Sequence, residues 1–211
     1  MNILPAKENI LKRIRKALAH ETPMPFPNSE KDGVVFPGPT QELEIEFAEQ
    51  FIQLQGKFIY CINRQELAFQ FGSLVRKQDW VPIFCADQKL IQLVGEPLEE
   101  RLTQTDLAGC NVAVTGCEFL VARTGSILLS SAQIQGRTAS VYAPIHICIA
   151  FVDQLVYDIK DAFQGIREKY GPHFPSLLSL ATGPSRTADI EKTLVVGVHG
   201  PKEVYLFLVE A

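Results

Sequence analysis

The chain has 211 residues, 46% hydrophobic and 21% charged, which is enough apolar material for one domain with a sizeable core, alone or with an appendage. Twenty Lys and Arg against 24 Asp and Glu leave a formal net charge of −4; this gives no global attraction for nucleic acid or an anionic membrane, so any anion site must be local. No apolar run approaches the ~18 residues of a membrane span, and the first 20 residues carry charges every few positions in place of a signal-type apolar core, so a cytoplasmic location is expected.

The N-terminal stretch MNILPAKENILKRIRKALAH predicts an amphipathic helix, with Ile10, Leu11, Ile14, Ala17 and Leu18 at helical spacing among Lys7, Lys12, Arg13, Arg15 and Lys16. The following ETPMPFPNSEKDG holds three prolines, cannot continue a helix and reads as an extended linker. Residues 1–36 are therefore expected to form a helical appendage with its linker, and residues 37–211 the main domain. The basic helix suits an acidic surface such as Glu42, Glu44, Glu46 and Glu49, in this chain or another; the alternative is a solvated helix covering a core edge.

From Thr40 the pattern alternates. TQELEIEFAEQFIQLQG predicts a helix capped by Thr40 and ended at Gly56, KFIYCI a short apolar strand, and NRQELAFQFGSLVRK a helix opened by an Asn63–Glu66 capping box. WVPIFCA, NVAVTGC, GSILLSS, SVYAPIHICIAF, LLSLAT and EVYLFLV predict further strands, with helices in DQKLIQLVG and VYDIKDAFQGIREKYG. Apolar runs without polar alternation belong to a sheet buried on both faces. The expected class is layered α/β, with a largely parallel sheet flanked by helices.

The five cysteines are an odd number at irregular spacing, with no C-x-x-C pair and no His at ligand spacing, which argues against zinc, an iron-sulfur cluster or a disulfide framework. They read as small hydrophobes in strands, with a nucleophilic Cys as the lesser alternative. No metal and no cofactor are expected.

Ligands of open α/β sheets bind beyond the carboxyl ends of strands, and three segments suit such a position. In the first, Gly116 and Gly125 permit close backbone approach, Glu118 is a candidate acid, base or orienter, and Arg123, Thr124 and Ser126 are candidate anion donors. Exposed polar turns are the alternative there. In the second, Gly183 ends a strand, Ser185 or Thr187 caps the next element, and Arg186 offers a planar fork for carboxylate or phosphate. Asp189 is a candidate base in that segment, and a salt-bridge network among Arg186, Asp189 and Glu191 is the competing reading. The third is Val198-His199-Gly200-Pro201, where His199 is either a catalytic group or a turn hydrogen-bonder and Gly200 completes the turn.

GPSRTADIE followed by GVHGP, with GC-E-x-LVARTGSILLSS and YAPIHICIAF upstream, resembles the LUD domain of the lactate-utilisation protein C family over residues 40–210. The resemblance implies a fold like that of the NagB, ribose-5-phosphate isomerase and CoA-transferase group, close to 5-formyltetrahydrofolate cyclo-ligase. It also implies a part in oxidising L-lactate to pyruvate together with iron-sulfur partner proteins; the expected role is an accessory subunit that binds a small anionic metabolite at a sheet-edge pocket or docks on those partners through its basic N-terminal helix. The alternative is a stand-alone enzyme on small carboxylates, sugar phosphates, folates or CoA-type substrates, with Glu118 or Asp189 as base and Arg186 as clamp. Family members often carry Ala-Glu-Thr-Gly-Thr where this chain has Ala122-Arg123-Thr124-Gly125-Ser126, so a base stands in the place of an acid.

Overall fold

The computed structural model describes residues 6–19, 36–95, 101–104, 106–188, 194–197 and 199–210. Residues 1–37 and 38–211 form two compact units. In the first, α1 (Ala6–Leu18) has Glu8 in its first turn and Arg15 and Lys16 in its last, which suits the helix dipole at both ends. Every residue from Lys7 to Ala19 is exposed, including the apolar stripe of Ile10, Leu11, Ile14 and Leu18.

In the second unit the apolar runs become strands: β1 (Lys57–Cys61), β2 (Ile83–Cys85), β3 (Leu102–Thr103), β4 (Val112–Thr115), β5 (Phe119–Val121), β6 (Ser126–Ser130), β7 (Ile145–Phe151), β8 (Leu155–Val156), β9 (Leu178–Ala181), β10 (Arg186–Ala188), β11 (Leu194–Val196) and β12 (Glu203–Val209). Six of them form a sheet in the order β1-β12-β7-β4-β2-β3, every pairing parallel. The helices are α2 (Leu43–Gln53), α3 (Arg64–Gln78), α4 (Gln88–Val94), α5 (Ala139–Tyr142) and α6 (Ile159–Tyr170). Among the described residues, no helix is long and apolar enough to cross a membrane.

Strand parity divides the core. Tyr205, Phe207 and Val209 of β12 face Leu67, Phe71 and Val75 of α3 and Leu90, Ile91 and Val94 of α4. Val204, Leu206 and Leu208 face the opposite way, onto Phe47 and Phe51 of α2 and Leu120, Ile127 and Leu129. Those last three belong to a second, four-stranded sheet, β8-β5-β6-β9, which pairs antiparallel except at β5–β8. Ala162 and Ile166 of α6 cover its outer face through Val121 and Leu128. The expected α/β layering with a largely parallel central sheet is thus observed, and one face of that sheet is covered by α2 together with a second sheet.

Local details obey side-chain chemistry. Asn63 Oδ1 accepts from the Glu66 amide at 2.8 Å, and Glu66 Oε2 reaches back to the Ile62 amide at 2.8 Å, one residue short of a full capping box. Glu42, with no side-chain cap bond, precedes α2 in place of the expected Thr40. The run SVYAPIHICIAF splits, because Pro144 separates the short α5 from β7. Helix α6 starts at Ile159, later than its apolar pattern suggests, where Asp158 and Asp161 exchange a full capping box.

Candidate functional site

All strands of the six-stranded sheet point the same way, so one edge collects their carboxyl ends. Arg64 follows β1, Asp87 and Lys89 follow β2, Gly116 and Cys117 follow β4, and Phe151, Asp153 and Gln154 lie at or beyond the end of β7. Together with Lys169 of α6 these residues line an open cleft of about 950 Å³. This is the edge at which open α/β sheets bind ligands. Neither Arg64 nor Lys89 has an ion-pair partner among the described residues, and both are exposed. Adding a Cβ to Gly116 would meet nothing closer than the Ile149 carbonyl oxygen at 3.9 Å, so the glycine leaves open floor rather than filling a tight turn.

The wall of the cleft is built on Glu118. Its side chain is fully buried and accepts from Ser130 Oγ at 2.5 Å, Tyr170 OH at 2.7 Å and Lys169 Nζ at 2.7 Å. Burial pushes the carboxyl up, and the hydrogen bonds from Lys169, Ser130 and Tyr170 outweigh it and hold it below the usual carboxylate value. The Lys169 side chain is 56% exposed and lines the cleft, and its ammonium is held by this anchor. Gln154 Nε2 donates to the Cys117 carbonyl at 2.7 Å and Gln135 Nε2 to that of Gly116 at 3.4 Å, which fixes the turn after β4.

The five cysteines are free and buried. Burial pushes the Cys61 and Cys85 thiols up to about 11, and contact with the Cys148 thiol together with burial pushes Cys117 up as well. Thiols so shifted stay protonated at neutral pH, unlike a nucleophilic thiolate. Among the described residues, no three His, Cys, Asp or Glu side chains converge as a metal site would require.

The other expected site residues gather elsewhere, around the carboxyl end of α2. Arg186 Nη2 donates to the Leu54 carbonyl at 2.8 Å. Gly183, at φ +78°, lies so close to that residue that a Cβ would stand 2.8 Å from the Leu54 oxygen. Gly125, at φ +57°, presses on the α2 backbone, where a Cβ would stand 2.6 Å from the Phe51 nitrogen. Ser126 Oγ lies 2.8 Å from both Thr124 Oγ1 and Thr182 Oγ1. The two Gly-Pro steps meet: the Ser185 amide donates to the Pro201 carbonyl at 2.9 Å, and Gly200 lies where a Cβ would be 2.9 Å from that of Ser185.

Pro201 precedes β12 and Lys57 begins β1, so this second cluster sits at the amino edge of the sheet. The seven residues of β12 separate the two edges by about 20 Å. Gly116 and Glu118 are therefore apart from Arg123, Thr124, Gly125 and Ser126, which lie at the far end of the β5–β6 hairpin. Arg123 Nε donates to Asp158 Oδ2 at 2.7 Å, tying that hairpin to the cap of α6. Thr187 lies in β10 opposite Val195, His199 is exposed in the turn before β12, and Asp189 lies outside the described residues. Arg64, Lys89, Gln154 and Lys169 are not legible as a site in the sequence, since each comes from a different junction or helix. The signal that could have found them is the set of polar residues just after successive apolar strands.

A largely parallel sheet covered on both faces, with a polar cleft at its carboxyl edge, defines a layered α/β domain. A model of the LUD domain matches residues 6–209, and the chain belongs to the LUD domain family. It is 37% identical to lactate utilization protein C of Anoxybacillus flavithermus over 47% of this chain and 44% of the relative. It is 36% identical to the protein of that name in Bacillus subtilis, over 53% of this chain and 46% of the relative. The chain thus spans about half the length of these curated relatives. An uncharacterised protein of Neisseria meningitidis serogroup B is 25% identical over 98% of this chain and 94% of its own length. The crystal structure of a DUF162 family protein from Deinococcus radiodurans shares the fold, with a TM-score of 0.60, 18% identity, and coverage of 82% of this chain and 99% of that one.

Proposed function

We propose that this chain serves lactate utilisation by binding a small carboxylate such as lactate or pyruvate in the carboxyl-edge cleft, beside iron-sulfur partner proteins that take the electrons of lactate oxidation. The observation that carries the reading is that Arg64, Lys89 and Lys169 line one cleft together with Gly116. Two of these cations have no ion-pair partner among the described residues, and the third is anchored by a buried carboxylate. A planar guanidinium can grip a carboxylate by two parallel hydrogen bonds, and the two ammonium groups add charge. The names of the relatives from Anoxybacillus flavithermus and Bacillus subtilis support the pathway. Glu118 supports binding rather than a stand-alone enzyme, because three donors occupy both its oxygens and favour its ionised form.

Calorimetric titration of the full chain with L-lactate and pyruvate tests the site. Arg64→Ala and Lys89→Ala should each weaken affinity by about 10-fold or more, the loss of a charge-assisted hydrogen bond. No binding of either carboxylate, or undiminished affinity in both variants, overturns the reading. Co-purification of iron-sulfur proteins with the tagged chain from lactate-grown cells tests the partners.

A further inference from the structure

The face of α2 that looks away from the core forms a second concavity with the edge strand β1. It is a groove of about 780 Å³ whose floor is Ile45, Ala48, Ile52 and Phe58 and whose rim carries Glu42, Glu44, Glu49 and Glu210. Among the described residues, no Lys or Arg lines it. Ile45 and Ile52 are half exposed, and Tyr60 beside them donates its hydroxyl to Glu210 Oε2 at 2.8 Å. Apolar floors under rims of one charge sign suit an amphipathic helix of the opposite sign, laid in by residues at i, i+4 and i+7 or i+8.

Helix α1 has those properties. Ile10, Leu11, Ile14 and Leu18 form an uncovered stripe, and five bases stand against the single acid Glu8. At 100° per residue Lys7 continues the stripe, while Arg13 and Arg15 flank it, so the positive charges fall where a helix seated on Ile45 and Ile52 meets the glutamate rim. The match is in charge sign and apolar pattern at once. We propose that the α2–β1 groove receives the basic amphipathic helix α1 of a second copy of this chain. Two copies exchanging helices make a closed two-fold dimer, in which each groove and each stripe is used once.

The test is a charge exchange read by sedimentation velocity on the full chain. Glu49→Lys with Glu210→Lys reverses part of the rim without touching the first turn of α2, and Lys7→Glu with Arg15→Glu reverses the helix. The wild type should dimerise below about 100 µM, and each double variant should dissociate at least 10-fold more readily. An equimolar mixture of the two double variants should recover the dimer, because the reversed groove then meets the reversed helix and the unaltered pair meets as before. Circular dichroism melts of both variants verify that each remains folded. A monomeric wild type, a dimer unaffected by both variants, or a mixture that does not recover would each overturn the proposal.

Discussion

Arg186 Nη2 donates to the carbonyl oxygen of Leu54, the residue that follows α2, at 2.8 Å, so the guanidinium expected as an anion clamp also caps a helix carboxyl terminus. A cation at this end satisfies an orphan carbonyl and suits the helix dipole. Because the pair is solvent-exposed, Arg186→Ala should cost only about 0.5–1 kcal/mol and lower the melting temperature by a few degrees. Carboxylate affinity should be unchanged. Thermal melts and titrations on this variant check both outcomes, and a stable variant with weakened affinity would move the ligand to the amino edge.

Two buried groups set distinct pH windows. His146 is fully buried, 2.8 Å from Thr115 Oγ1, and burial lowers its pKa from 6.5 to about 4. The unfolded chain takes up this proton near pH 6.5 and the folded chain only near pH 4, so stability falls on acidification through that window, by up to about 3 kcal/mol. His146→Gln should flatten the slope between about pH 7 and pH 5 in urea denaturation. Glu118 shifts the other way: its contribution is complete above the unfolded carboxylate value of about 4.3 and is lost as pH falls through its lower folded value. Glu118→Gln should therefore destabilise equally at about pH 7 and pH 5, and the gap should close only in stronger acid.

Two glycines separate packing from binding. Gly125→Ala forces a side chain at φ +57° to within 2.6 Å of the α2 backbone, so a loss of about 1–3 kcal/mol is expected. Gly116→Ala has room for its Cβ, with the nearest atom at 3.9 Å, and should melt like the wild type while weakening carboxylate binding in the cleft. Melting curves of the pair, with titration of the second, check the contrast.

Removal of residues 1–36 should leave a folded core with a cooperative melt, because the sheets and the clusters that pack them lie within residues 38–211. Insolubility or loss of the cooperative transition would assign the N-terminal segment to the core.

Much of the central sheet is legible in the sequence because strands buried on both faces are unbroken apolar runs: β4, β7 and β12 fall within NVAVT, IHICIAF and EVYLFLV. The second sheet is legible only in part, with β6 and β9 falling within GSILLSS and LLSLAT. Its strands β5 and β8 have three and two residues, too short to show a period, and their partners are set by tertiary pairing. The same limit applies to Ser140-Val141-Tyr142, whose β-favouring residues lie in a helix that covers β4 and β7. Glycines and an arginine signal a turn, yet local sequence does not state what the turn faces. Gly125, Gly183 and Arg186 all face α2, more than 70 residues away along the chain. The cleft lies beyond local reading for the same reason, since Lys169 meets Glu118 across 51 positions.

On the proposed function a small carboxylate binds at the carboxyl edge of the parallel sheet. Amide chemical-shift mapping of the isotope-labelled full chain titrated with pyruvate and with L-lactate tests it most directly. Saturable shifts are expected at Arg64, Lys89, Gly116, Cys117 and Gln154, with Thr124, Arg186 and Gly200, which do not line the cleft, unmoved. Shifts confined to Thr124, Ser126, Arg186 and Gly200, with the cleft silent, would contradict it.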